Sequence, residues 1–356
     1  MEYRQLGNSD LRVSAVCLGT MTYGDQNTQP EAHEQLDYAL SQGINFIDTA
    51  EMYPVPPKAE TCTRTETMLG NWLKHQARDK IILGTKAAGP RRGVSWIRNG
   101  PASLDKHNIR AAIEGSLQRL QTDYIDIYQL HWPERNVPMF GQYQFDPAAE
   151  FESGVYHAGA EKAWVSIQNQ LETLAELIAE GKVRYIGLSN EQPWGVMEFL
   201  RVAKEYNLPR IVSLQNGYNL MNRTMEFGMS EILYREKVGL LAYSPLAFGH
   251  LTAKYTDNPS AKGRATMFTG YAQRYTKANV TPATIAYAQL ARQHHMTPTQ
   301  MALSFVYHRW FVTSTIIGAT SMAQLQENIA AWHVKLSPEV MQEIELLHLK
   351  MTNPAP

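Results

Sequence analysis

Four polar side chains stand at or just past the ends of apolar runs: Asp48, Tyr53, Lys86 and His131. The chemistry that suits this set is carbonyl reduction. Hydride addition to a carbonyl carbon leaves an alkoxide, which needs a proton donor and a stabilising positive field. A tyrosine with its ordinary pKa of about 10 is protonated at neutral pH but is a sluggish donor. A lysine ammonium about 4 Å from Tyr53 would contribute on the order of 4 kcal/mol at an effective dielectric of about 20. That is roughly 3 pKa units, so Lys86 is expected to bring the phenol towards neutrality. Asp48 would hold Lys86 charged and oriented, and His131 would donate a hydrogen bond that positions the carbonyl oxygen. Each residue alone has an ordinary structural reading, as a cap, packing, a solvated strand end or a core histidine. The case rests on the set. The competing chemistry is a barrel isomerase or lyase that uses Lys86 as a Schiff-base amine.

The elements that must position them are short apolar runs alternating with amphipathic ones. Strands are expected at 16–19, 45–48, 81–86, 124–131, 183–188, 211–215, 239–243 and 315–318, mostly apolar without alternation, as strands buried on both faces should be. Ile109, Ile113, Leu117 and Leu120 form one helical stripe with Asp105 as N-cap. Leu171, Leu174, Ala175 and Ile178 form another, closed by Gly181. Eight strand–helix units without a linker point to a single (β/α)8 barrel domain over residues 1–356, with an N-terminal β-hairpin around Gly7-Asn-Ser-Asp10 and two extra helices at 299–308 and 338–349. A doubly wound sheet is disfavoured because no G-x-G-x-x-G follows any strand. A barrel turns Asp48, Tyr53, Lys86 and His131 onto one rim. Residues 54–65, 89–106 and 133–164 are too long for plain βα connections and are expected above that rim.

Composition sets bounds on partners. With 33 Lys+Arg against 34 Asp+Glu and a net charge of -1, nothing favours nucleic acid or an anionic membrane. No run of 18 apolar residues occurs and the N-terminus is no signal peptide, so a cytoplasmic protein is expected. Cys17 and Cys62 supply neither a disulfide framework nor a cysteine zinc site, and no metal is expected.

The motifs resemble those of the aldo-keto reductases, in order and over nearly the whole chain. They are Gly43-Ile-Asn-Phe-Ile-Asp48-Thr-Ala-Glu-Met-Tyr53, Thr85-Lys86, Asp123-Tyr-Ile-Asp-Ile-Tyr-Gln-Leu-His131-Trp-Pro133, Gly181-Lys-Val-Arg-Tyr-Ile-Gly-Leu-Ser189-Asn190, Gln215-Asn-Gly-Tyr-Asn219 and Leu241-Ala-Tyr243-Ser-Pro-Leu246. Asp48-Thr-Ala-Glu-Met-Tyr-Pro-Val-Pro-Pro57 and the Asn-Pro-Ala-Pro terminus are nearest a bacterial branch. The resemblance implies Asp48, Tyr53, Lys86 and His131 as catalytic tetrad, Tyr53 as acid, and NADPH extended across the barrel mouth. It implies Ser189, Asn190 and Gln215 on the nicotinamide carboxamide, Tyr243 stacked on the ring, and Thr20 and Met21 beside it. Ser244, Pro245, Leu246, Ala247 and Gly249 would follow the pyrophosphate with Lys254 and Arg264. Gly318, Ala319, Thr320 and Gln324, with Glu327 and Asn328, would hold the adenosine end. Independently of the family, Gly318-Ala-Thr-Ser leads into a helix at Met322, whose N-terminus favours an anion.

Tyr23 and Trp132, beside Tyr53 and His131, are expected as walls for a small carbonyl substrate. Residues 133–164 are expected to set substrate specificity or meet a partner. Pro54 stands where many members have glycine, and 317–321 lacks the basic residue some members place against the 2′-phosphate, so NADPH preference would lean on Arg264 and Lys254. The resemblance extends to potassium-channel β subunits, which makes a non-catalytic NADPH-binding module the alternative. Oligomeric state is not legible.

Overall fold

The computed structural model describes residues 1–90, 92–148, 164–268, 270 and 272–356. Eight parallel strands close a barrel: β3 (Val16–Gly19), β4 (Phe46–Asp48), β5 (Ile82–Ala87), β6 (Ile125–Leu130), β7 (Val183–Ser189), β8 (Ile211–Gly217), β9 (Gly239–Tyr243) and β10 (Val312–Ile317), with β10 hydrogen-bonded to both β3 and β9. Each expected strand is present, with ends shifted by up to three residues, and closure disposes of the open doubly wound sheet. An antiparallel hairpin, β1 (Tyr3–Gln5) with β2 (Arg12–Ser14), precedes the barrel. Its Leu6, Leu11 and Val13 pack against Cys17, Phe46, Ile82, Ile127, Val212, Leu241 and Ile316, stoppering the bottom. Gly7 makes this approach possible, since at φ +54 its missing Cβ would stand 2.2 Å from the Val212 carbonyl oxygen.

Around the strands run α1 (Gln29–Ser41), α2 (Arg64–Leu73), α3 (Lys106–Leu120), α4 (Ile167–Ala179), α5 (Pro193–Glu205) and α6 (Met229–Glu236). After β9 come α7 (Val280–Gln293) and α8 (Pro298–Tyr307), and after β10 come α9 (Met322–Ala330) and α10 (Pro338–Lys350). Local chemistry starts these helices where the sequence indicates. Asp105 accepts from the Asn108 N–H at 2.8 Å and Ser166 from Asn169 at 3.2 Å, each replacing a backbone acceptor the first turn lacks. The two further helices expected at 299–308 and 338–349 are present as α8 and α10; α8 lies against β10, and α7 packs with α10. Leu171, Leu174, Val196 and Phe199 belong to the shell between sheet and helices, where each fully buried aliphatic contributes about 1.5–3 kcal/mol. Of the segment 133–164 expected to set specificity, residues 149–163 lie outside the described residues.

Candidate active site

Successive strand side chains point to opposite faces, so every second residue looks into the barrel. Phe46 and Asp48 on β4, Ile82 and Lys86 on β5, and Ile127 and Gln129 on β6 share the inner face, apolar below and polar towards the C-terminal end; His131 follows β6 in the same phase. The result is a buried polar knot. Lys86 Nζ donates to Asp48 Oδ2 at 2.6 Å and to the Thr49 carbonyl at 2.7 Å. Asp48 Oδ1 accepts from Gln215 Nε2 at 2.8 Å and Gln129 Nε2 at 3.2 Å. Lys86 is 0% exposed, and this sealing puts its amine out of reach of a carbonyl carbon, which removes the structural basis for the Schiff-base alternative.

Tyr53 lies above the knot, with Lys86 Nζ 5.1 Å from its ring centroid and the His131 ring edge-on at 5.8 Å. The expectation that Lys86 lowers the phenol's pKa is reversed. Burial first, and Asp48 second, push it well above the ordinary tyrosine value. The physical reason is pairing: Lys86 and Asp48 present little net charge to the ring, so desolvation of a phenolate dominates. His131 is held neutral, its pKa kept well below the usual histidine value by burial and then by Lys86. Its Nδ1 is buried without a hydrogen-bond partner among the described residues.

These two rings open onto a cavity of about 1280 Å³ at the C-terminal end of the barrel. That exceeds the roughly 300–1,000 Å³ of a drug-sized ligand site. Thr20, Met21, Asp48, Tyr53, His131, Trp132, Ser189, Asn190, Gln215, Tyr243, Ser244, Pro245, Leu246, Gly249, Lys254, Arg264, Gly318, Ala319, Thr320, Gln324, Glu327 and Asn328 all line it. Besides the sealed Lys86, two expected residues do not. Tyr23 is 0% exposed, its hydroxyl turned outward to Gln35 Oε1 at 3.2 Å, because the β3–α1 turn folds it under the rim into the helix shell. Ala247 is likewise buried, in the shell that includes Leu251.

A belt of hydrogen bonds ties β6 to β9. Tyr243 OH donates to Asn190 Oδ1 at 2.7 Å, and Asn190 Nδ2 donates to the His131 carbonyl at 2.9 Å. Ser189 Oγ donates to the Gln215 carbonyl at 3.0 Å. Gln215 Oε1 accepts no hydrogen bond among the described residues and borders the cavity, open to an amide N–H. Arg264 lies over the Phe248 ring at 4.8 Å and reaches Met21 Sδ at 3.1 Å, strapping one loop to another. Burial and then Arg264 lower the pKa of Lys254. On the wall of the same cavity, between Thr320 and Gln324, Ser321 caps α9, its Oγ accepting from Gln324 N at 3.4 Å. A cation pair, a helix N-terminus, an aromatic wall and an amide acceptor around one cavity suit the phosphates and carboxamide of a nicotinamide dinucleotide.

Sequence reasoning missed Gln129, which the inner-face phase of β6 would have exposed, and Lys262 and Arg274, which only the folding of the long β9–α7 connection brings to the cavity. Among the described residues no group of His, Cys, Asp and Glu is placed to hold a metal, and no helix is long and apolar enough to cross a membrane.

A (β/α)8 barrel whose C-terminal mouth joins a Tyr–His pair, a sealed Lys–Asp pair and a dinucleotide-sized cavity is the architecture of a nicotinamide-dependent oxidoreductase. The chain belongs to the aldo/keto reductase family, whose model matches residues 15–348. It is 48% identical to Protein tas of Escherichia coli over the full length of both chains. An aldo-keto reductase of Babesia bovis is 37% identical over 77% of this chain and 98% of its own. The uncharacterized oxidoreductase YrpG of Bacillus subtilis is 30% identical over 96% and 94%.

Proposed function

We propose that the chain reduces an aldehyde or ketone to an alcohol with NADPH, and that Tyr53 supplies the proton. One observation carries this reading: the Tyr53 and His131 rings, 5.8 Å apart, open onto one cavity and are both driven to their neutral forms above the Lys86–Asp48 pair. NADPH, when bound, supplies the hydride. Thr20, Met21, Ser189, Asn190, Gln215 and Tyr243 would hold its nicotinamide end. Ser244, Pro245, Leu246 and Gly249, with Lys254 and Arg264, would face its phosphates, and Gly318, Ala319, Thr320, Gln324, Glu327 and Asn328 its adenosine. The like charges Lys254 and Arg264 favour the extra phosphate of NADPH.

Neutral His131 keeps one N–H to orient the carbonyl oxygen. Tyr53 holds its proton at neutral pH and donates as the oxygen becomes an alkoxide, a far stronger base than any phenolate. The Arg264 guanidinium is the cation whose charge favours the phenolate left behind, until water reprotonates it.

The test is Tyr53→Phe in stopped-flow single turnover with an aromatic aldehyde. Hydride transfer should vanish while the Kd for NADPH stays within about twofold. Loss of NADPH binding would contradict the assignment. A wild-type chain that binds NADPH but oxidises it with none of a panel of aldehydes, ketones and quinones would be a binding module.

A further inference from the structure

We propose that Arg274 recognises a carboxylate on the substrate, so that the preferred carbonyl compounds are anionic. This rests on the reductase reading above and names its substrate class. Arg274 lies in the turn Gln273–Thr276 of the β9–α7 connection and lines the cavity. Its place is set by Gly217, the last residue of β8: a methyl there would stand 2.9 Å from Arg274 Nη1 and 3.3 Å from Tyr243 Cε2. The guanidinium therefore lies on the β8 side of Tyr243. Gly318, Ala319, Thr320 and the start of α9 follow β10, which pairs with β9 on its other edge, and Arg264 reaches Met21 in the loop after β3. Arg274 thus stands beside Tyr243, whose hydroxyl donates to Asn190, which in turn donates to the His131 carbonyl.

Its surroundings call for an anion. Among the described residues no carboxylate pairs with Arg274, and its Nε is buried without a hydrogen-bond partner. The neighbouring polar groups are the hydroxyls of Tyr243 and Tyr275, which offer the guanidinium hydrogen-bonding oxygens but no carboxylate. A partly buried cation without a counter-ion is costly, and a ligand carboxylate docked bidentately offsets that cost. Among the described residues the three carboxylates on the cavity wall do not oppose an incoming anion. Asp25 is paired with Lys58, Asp48 with Lys86, and Glu327 accepts from Thr297 at the far end. The wall near Tyr53 is otherwise apolar, with Met52, Val55, Trp132 and Phe140, and Arg92 lies over the Phe140 ring at 5.4 Å as a second cation.

The experiment compares kcat/KM for 4-formylbenzoate and its methyl ester, together with benzoate and benzamide binding to the NADPH-loaded protein by calorimetry. Wild type should prefer the acid, and Arg274→Met should lower the acid-to-ester ratio about 10- to 100-fold, the range for a lost charge-assisted contact. Arg274→Lys, which keeps the charge without the fork, should fall between. Gly217→Ala, which displaces the guanidinium, should lower the ratio too. Benzoate should bind more tightly than benzamide, and Arg274→Met should abolish the difference. A wild type indifferent to the carboxylate, or proportional losses on acid and ester, overturns the proposal. If neither aldehyde is reduced yet benzoate binding depends on Arg274, the reductase reading fails while the anion site stands.

Discussion

Lys86 Nζ and Asp48 Oδ2 meet at 2.6 Å with 0% and 2% of their side chains exposed, so neither charge is solvated by water. Lys86→Met should therefore cost about 3–5 kcal/mol of stability, since it strands a buried carboxylate. Adding Asp48→Asn to Lys86→Met should recover part of that loss. Chemical denaturation of the two single variants and the double variant measures the coupling; strictly additive losses would show that the two side chains do not act as a pair.

The pH behaviour follows from opposite shifts on Tyr53 and His131. With the phenol pushed up and the imidazole pushed down, neither titrates across the neutral range. The pH profile of kcat/KM for reduction should be flat from about 7 to about 9. An acid-limb inflection near 6.5 or a basic one near 8 would contradict these assignments.

Stability carries the complementary signature. His131 unfolds to an ordinary pKa of about 6.5, so below that pH the unfolded chain binds a proton the folded chain refuses. Its neutral burial is fully tolerated above about pH 6.5, and stability falls as pH drops from there towards the lowered folded value. His250, lowered to about 4 by burial and then Lys254, acts in the same direction. His131→Asn should flatten the stability slope between pH 6.5 and 5, measured by denaturant midpoints; an unchanged slope would assign it to other groups.

Arg264→Ala should raise the Kd for NADPH about 10- to 100-fold and that for NADH much less, if its charge serves the 2′-phosphate. Equal weakening would place Arg264 against the pyrophosphate. Fluorescence titration with both cofactors separates the two outcomes.

Gln129→Leu removes one of the two amide donors on Asp48 Oδ1 and the acceptor of Gln215 Nε2. A loss of about 1–2 kcal/mol in stability is expected, with a lower kcat as the Asp48–Lys86 alignment loosens. Unaltered denaturation would mean that Gln215 alone suffices.

Much of this arrangement was legible because barrel strands are buried on both faces and read as uninterrupted apolar runs. Their ends mark the rim, so Asp48, Lys86 and His131 announced themselves as polar residues where such runs stop. The sign of the Tyr53 shift was not legible. It depends on whether Lys86 faces the phenol unpaired or spends its charge on Asp48, a matter of ångströms that spacing does not encode. Tyr23 illustrates the loops: three residues past Thr20, it turns under the rim, and only the turn geometry decides between cavity and shell. Arg274 lies 31 residues beyond Tyr243, in a connection whose path no periodicity constrains.

The hairpin beneath the barrel has a consequence for traffic. With Leu6, Leu11 and Val13 filling the lower end, the tube is blind, and every molecule passes through the same mouth. Whatever lies deeper must enter first and leave last. Exchange at this site is a queue, and loops that narrow the mouth set its pace without touching the reacting atoms.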